Sequence, residues 1–138
     1  MAPPAYKGCS CKAEGGRIAL GHVHVEALLG DPRRRRVRPV RLLVDTGATY
    51  LSLPPSLAEE LDLRVEGEAE LTLADGRTVM TGMALAWLEV AGRGSIIQAA
   101  ILDVDEPLLG VMALEALGLA VDPATGELRP TRGFLARA

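Results

Sequence analysis

The sequence predicts an all-β domain on three grounds: few aromatic residues, abundant glycine and proline, and apolar residues that alternate or run in short blocks instead of recurring at helical spacing. Aromatic residues make up 3% of the 138, leaving the core to Leu, Val, Ile and Ala, while 15 Gly and 9 Pro suit short strands joined by tight turns. That length supports one compact core and is too short for two ordinary domains. Hydrophobic residues make up 49%, charged residues 24%, and the formal net charge is -3, a balance that excludes a disordered chain and an obligate polyanion binder.

No apolar run approaches the ~18 residues of a membrane span, and the N-terminus lacks the continuous apolar stretch of a secretory signal. A cytoplasmic protein without a membrane partner is expected. Cys9 and Cys11 are too close in sequence to staple the fold together, in keeping with a reducing compartment.

Residues 1–20 carry Pro, Gly and Lys without periodicity and read as a flexible N-terminal extension. The domain is expected over 21–131, with 132–138 as a C-terminal tail. Residues 22–27 alternate polar with apolar, the pattern of a half-buried strand, and Gly30-Asp31-Pro32 supplies the turn. Residues 37–44 return as the second strand of a hairpin, with Pro39 marking an edge or a bulge. Leu42-Leu43-Val44 is continuously apolar, as in a strand buried on both faces, and leads directly into Asp45-Thr46-Gly47-Ala48.

A short apolar stretch at 50–53 precedes Pro54-Pro55-Ser56, which opens a helix of about two turns with Leu57 and Leu61 on one face. Ala69, Leu71 and Leu73 then alternate with polar residues up to Asp75-Gly76, a strong hairpin signal, and the return strand is expected over 77–90. Ala91-Gly92-Arg93-Gly94 reads as a turn before a buried strand at 96–102. Pro107-Leu108-Leu109-Gly110 is a short apolar strand ending in glycine, followed by a helix at 111–117 capped by Gly118. Residues 119–121 turn through Asp122-Pro123-Ala124-Thr125-Gly126 into a last strand at 127–129. No βαβ alternation and no fixed-period repeat appears, so the chain is not an internally duplicated, two-lobed molecule.

An aspartate at the end of a buried apolar strand is costly unless something uses it. A turn alone could account for it, because Asp-Thr-Gly caps its own backbone well. The surroundings point further: Leu42-Leu43-Val44-Asp45-Thr46-Gly47-Ala48 resembles the active-site loop of the retropepsin-like aspartic peptidases. Leu108-Leu109-Gly110 with its following helix resembles the apolar-apolar-glycine segment that threads beside that loop in this family. Between them, a hairpin tipped by Ala74-Asp75-Gly76-Arg77 stands where the family has its flap. The resemblance runs over residues 21–130 in the family's order. It is narrowest to the small prokaryotic single-domain members, including Leu119-Ala120-Val121-Asp122-Pro123 and Thr125-Gly126-Glu127-Leu128. Thr49-Tyr50 and Val111-Met112 depart from the viral enzymes, so the viral mode of clamping substrate backbone and pairing ions at the interface is not expected.

The resemblance implies a retropepsin-like acid protease barrel with one or two short helices, a single-lobe protomer that dimerises. It implies an aspartic endopeptidase whose water is activated by two Asp45 carboxylates, one from each subunit of a homodimer. Such a pair lies about 3 Å apart and shares one proton, because like charges that close cannot both ionise. The ionised partner takes a proton from the water, and the protonated one donates a hydrogen bond to the scissile carbonyl. The chain has a single Asp-Thr-Gly, so the second carboxylate must come from a second chain. By the same resemblance, Thr46 bonds across the dyad axis and Gly47 lets substrate backbone approach. Ala48, Leu109 and Gly110 are expected on the substrate side, and the flap residues Ala74, Asp75 and Gly76 are expected to close over it. The implied partners are a peptide or protein substrate and a second copy of the chain, with no metal and no cofactor.

Two other readings of the whole chain remain. One is a catalytically inactive retropepsin-like module for dimerisation or peptide binding, against which the intact Asp-Thr-Gly-Ala argues, since Asn or Ser would relieve two facing carboxylates. The other is a metal- or nucleic-acid-binding barrel resting on the arginine run 33–36 with Arg38 and Arg41, or on Cys9, Cys11, His22 and His24. The run reads as a solvated hairpin turn without interleaved aromatics, so no nucleic-acid partner is expected. The Cys and His spacing is that of no known finger, and Asp45 is left unexplained. Trp87, within an alternating strand, is expected in the core.

Overall fold

The computed structural model describes residues 23–73 and 75–131, together with two short strands, Ala13–Glu14 (β1) and Arg17–Ile18 (β2). The expectations placed on Cys9, Cys11, His22, Ala74 and the tail 132–138 lie outside the described residues. Within the expected N-terminal extension, β1 and β2 pair antiparallel.

The hairpin foreseen from the Gly30-Asp31-Pro32 turn is formed by His24–Gly30 (β3) and Val37–Val44 (β4), in continuous register from His24 opposite Leu43 to Gly30 opposite Val37. Pro39 faces Leu28 of β3, and β4 meets its other neighbour only at Leu43 and Val44, so a residue lacking N–H sits where one edge is unpaired. Leu51–Leu53 (β5) leads into the helix Pro55–Glu60 (α1), whose first turn accommodates Pro55 and which buries Leu57 and Ala58. Val65–Thr72 (β6) and Thr78–Val90 (β7) form the long hairpin announced by Asp75-Gly76. Arg93–Ile101 (β8) follows after a turn of two residues, Ala91 and Gly92, with φ of 55° and 78°. That pair of positive φ values is the geometry whose twist suits a two-residue hairpin, so β8 starts earlier than the expected residue 96.

Leu108–Leu109 (β9), the helix Val111–Leu117 (α2), Leu119–Val121 (β10) and Leu128–Pro130 (β11) complete the chain. Gly118 ends α2 in the left-handed conformation, φ 70°, which a residue without Cβ adopts freely. β10 and β11 pair across a turn in which Asp122 accepts the N–H of Ala124 and binds the Arg129 guanidinium. This commits Asp122 to its own turn.

The main sheet runs β3-β4-β9-β5-β8-β7-β6, and β3 also pairs with β7, which closes six strands into a barrel. One edge of β7 is shared: its first half pairs with β6 and its last residues with β3, so the β6–β7 hairpin projects beyond the closed ring. Inside lie Val25, Leu29, Leu42, Val44, Leu51, Leu53, Leu88 and Leu109, with Ala113, Leu114 and Leu117 of α2 against them. Along β7, Ala84, Ala86, Leu88 and Val90 point inward and Leu85, Trp87 and Glu89 outward. Trp87 therefore corrects the core expectation. It is half-buried on the outer face, where Gly94 leaves room for the indole and the Arg34 guanidinium lies 4.3 Å from the ring centroid.

Candidate active site

The end of β4 is held from both sides. The Val44 N–H donates to the Val23 carbonyl at 2.8 Å and the Leu43 N–H to the Pro107 carbonyl at 2.9 Å, while Leu42 and Val44 bury their side chains in the barrel. One residue on, the Asp45 N–H donates to the Leu109 carbonyl at 3.0 Å. The backbone of Asp45 is thus an extension of the parallel β4–β9 ladder, and its side chain emerges half-exposed at the rim.

Past that point the chain turns tightly. Ala48 donates its N–H to the Asp45 carbonyl at 3.0 Å, and Gly47 donates its N–H to Asp45 Oδ1 at 2.9 Å, so the loop orients the carboxylate through a backbone donor. A Cβ on Gly47 would come within 3.3 Å of that same oxygen, tight enough to press on it. No cation pairs with Asp45 among the described residues. Thr46 is exposed, and within the described residues its hydroxyl has no hydrogen-bond partner in its own chain.

The loop also caps α2. The Val111 N–H donates to the Ala48 carbonyl and the Met112 N–H to the Thr49 carbonyl, both at 2.9 Å, which satisfies donors that a helix start leaves open and explains why no side chain caps it. Gly110 lies buried at the junction. A Cβ there would stand 2.5 Å from the Tyr50 carbonyl oxygen and 2.8 Å from that of Ala48, distances that backbone atoms cannot relieve. Segments 45–50 and 109–112 are consequently one block of interlocked backbone.

Leu109 needs a correction at the level of its side chain. Expected on the substrate side, it is 0% exposed and packs in the barrel core, so it acts at the site through its carbonyl alone. Gly110 likewise is a close-packing residue behind the loop. At the tip of the β6–β7 hairpin, Asp75 and Gly76 are exposed, Gly76 with φ +90°. Asp75 accepts the Arg77 N–H at 2.9 Å and pairs with its guanidinium at 2.7 Å, and the backbone donor, followed by the side chain, holds the Asp75 carboxyl below its usual value. The structure brings Asp45, Thr46, Gly47, Ala48 and Gly110 together; the hydrogen bonds of Asp75 and Gly76 stay within their hairpin.

One contact beside the loop was missed. His24 Nε2 and Glu106 Oε1 are 2.9 Å apart and join the start of β3 to the segment entering β9, from which Pro107 and Leu109 hold the end of β4. The two residues are 82 positions apart, and nothing in the pattern around either one signals the pairing. His24 Nδ1 is buried and has no partner among the described residues. No group of three or more His, Cys, Asp or Glu able to hold a metal ion occurs among the described residues, and no helix is long and apolar enough to cross a membrane.

An aspartate is presented at the mouth of a small barrel, with its loop threaded against an apolar-apolar-glycine segment. Residues 25–122 match the aspartyl protease family, and the chain belongs to that family. Among solved structures it is similar to the EIAV protease complexed with the inhibitor HBY-793, at 22% identity and a TM-score of 0.54, over 69% of this chain and 86% of that one. That likeness makes the fold a retropepsin-like barrel. No curated protein matches the chain.

Proposed function

We propose that the chain is an aspartic endopeptidase whose active unit is a homodimer, with one Asp45 from each subunit forming a single proton-sharing pair. The observation that carries this reading is the placement of Asp45: a half-exposed carboxylate on a rigid loop, oriented by the Gly47 N–H and paired with no cation among the described residues. A structural aspartate would be expected to look like Asp122, which is absorbed by its own turn and by Arg129. With Asp122 so occupied and a single Asp-Thr-Gly in the sequence, one chain supplies only half of the required pair.

The catalytic unit is the domain 21–131. In the dimer the two Asp45 side chains hold a water between them. One removes its proton as the oxygen attacks the peptide carbonyl, and the other donates a hydrogen bond to the carbonyl oxygen as it gains charge. Thr46, exposed and without a partner in its own chain among the described residues, bonds across the two-fold axis. Gly47 leaves the carboxylate uncrowded, Ala48 lines the floor, and the hairpin tip with Ala74, Asp75 and Gly76 closes over an extended peptide and excludes water.

The test is hydrolysis of an unstructured peptide as a function of pH. A pair sharing one proton is active only between its two apparent pKa values, so the rate should follow a bell with an acidic optimum and resist chelators. Asp45→Asn should remove the activity, and a peptide analogue with a hydroxyl in place of the scissile carbonyl should inhibit by resembling the tetrahedral species. A rate that survives Asp45→Asn, or one abolished by a chelator, contradicts the proposal.

A further inference from the structure

At the end of β4 remote from Asp45 lies a cavity of about 470 Å³ between the β3–β4 turn and the segment joining α1 to β6. With eight residues in β4, it is about 25 Å from Asp45. Arg33, Arg35, Arg36 and Arg64 line it, together with Asp31, Asp62, Glu66 and Leu85. The sequence alone makes this turn a solvated loop, but it is fastened at several points. Asp31 accepts the Arg36 N–H on its carboxylate at 2.7 Å and the Arg34 N–H on its carbonyl at 2.8 Å, and Arg34 takes φ 58°. Arg34 then lies over Trp87, Arg36 reaches the Glu60 carbonyl, and Arg38 holds the Glu60 carboxylate at 2.7 Å.

Three arginines anchor the turn, and that leaves two others displayed. Arg33 and Arg35 are exposed and, with Arg64 across the cavity, have no acidic partner among the described residues. Asp31 remains ionised, because the loop's amides, that of Arg36 first, hold its carboxyl below the usual value, but one of its oxygens is turned into the loop to accept the Arg36 N–H. Leu85 on the wall is 44% exposed, which sets apolar surface next to the free guanidinium groups. Asp62 and Glu66 on the same lining limit the site to a ligand with a few separated carboxylates that can reach the arginines, and disfavour a continuous polyanion such as a nucleic-acid backbone.

We propose that this cavity is a docking site for a short acidic peptide segment, carboxylates to Arg33, Arg35 and Arg64 and an apolar side chain to Leu85, separate from the cleavage site. The fastened turn favours such a ligand because the backbone that carries Arg33 and Arg35 is already held in place, so that only their side chains lose freedom on pairing with a carboxylate.

The experiment measures fluorescence anisotropy of a labelled peptide of alternating Glu and Leu, against the same peptide with Gln for Glu, using full-length Asp45→Asn protein. Binding is read there whether or not the proposed peptidase chemistry holds. The Glu peptide should bind more tightly than the Gln peptide and weaken as salt rises. The variant Arg33→Ser/Arg35→Ser/Arg64→Ser should bind it about tenfold more weakly, three exposed ion pairs being lost. Arg41→Ser, outside the cavity, should match the parent. The salt titration on the parent protein stands even if the triple variant folds poorly. Equal binding of the two peptides, no loss in a folded triple variant, or a single-stranded oligonucleotide displacing the Glu peptide more effectively than the peptide itself would overturn the assignment.

Discussion

The two ends of strand β4 are built on opposite principles. At the Asp45 end, backbone holds backbone: four N–H groups from Leu43 to Ala48, and two more at the start of α2, find carbonyl partners, and Gly110 fits only because it has no side chain. At the arginine end, side chains hold backbone: Asp31 ties the turn, while Arg34, Arg36 and Arg38 fasten it to Trp87 and Glu60. The first arrangement fixes a carboxylate in one place and tolerates almost no change. The second is soft, exposed and screened by salt, and suits reversible contact with a charged partner.

If that contrast is right, the largest effect belongs to the backbone-locked end. Gly110→Ala puts a methyl group 2.5 Å from a carbonyl oxygen and should destabilise the fold by ~3 kcal/mol, read by urea denaturation, with peptidase activity lost in parallel. A change within ~0.5 kcal/mol would mean that segments 45–50 and 109–112 are not interlocked.

An intermediate effect is expected from acid, and it falls on the turns. Asp31, Asp75 and Asp122 each have a carboxyl held below its usual value, chiefly by backbone N–H groups of Arg36, Arg77 and Ala124 respectively. For a depressed carboxylate, the stabilisation is fully present above the unfolded value and is lost as pH falls through the lower folded value. The melting temperature should therefore be flat from these groups through mildly acidic pH and decline below about pH 4. Asp31→Asn should weaken that decline. A decline unchanged in that variant would detach the turn from its Asp31 tie.

The smallest effect is reserved for the soft end. Arg38→Ala breaks an ion pair whose side chains are 45% and 53% exposed, and should change stability by only ~0.5 kcal/mol while leaving hydrolysis of a neutral peptide unaltered. A larger loss would make the arginine end as rigid as the other and erase the contrast.

How much of this was legible follows from where the information resides. The bounds of β4 and α2 could be read because turn residues delimit them: Gly30-Asp31-Pro32 leads into the turn before β4, Gly110 precedes α2 and Gly118 closes it. The pairing of the Asp45 loop with the glycine segment was accessible through resemblance, since both motifs are short and contiguous. The start of β8 was obscured by glycines at both 92 and 94, which leave open where a turn ends until the φ values select Ala91 and Gly92. Trp87 was misplaced because both faces of β7 carry apolar residues, so alternation could not say which faced inward. The His24–Glu106 pair and the cavity at the arginine turn are products of tertiary approach between distant segments, and no local pattern encodes either one.

The central claim is that two chains build one site, and subunit mixing tests it most directly. Wild-type protein is allowed to exchange subunits with a ninefold excess of Asp45→Asn, whose near-isosteric amide should leave the proposed dimer intact while removing one carboxylate from every mixed pair. If the pair is shared, random exchange leaves about one tenth of the wild-type chains with a wild-type partner, and activity per wild-type chain falls to about one tenth. If activity per wild-type chain is undiminished at full exchange, each Asp45 works without its counterpart and the shared-pair mechanism is wrong.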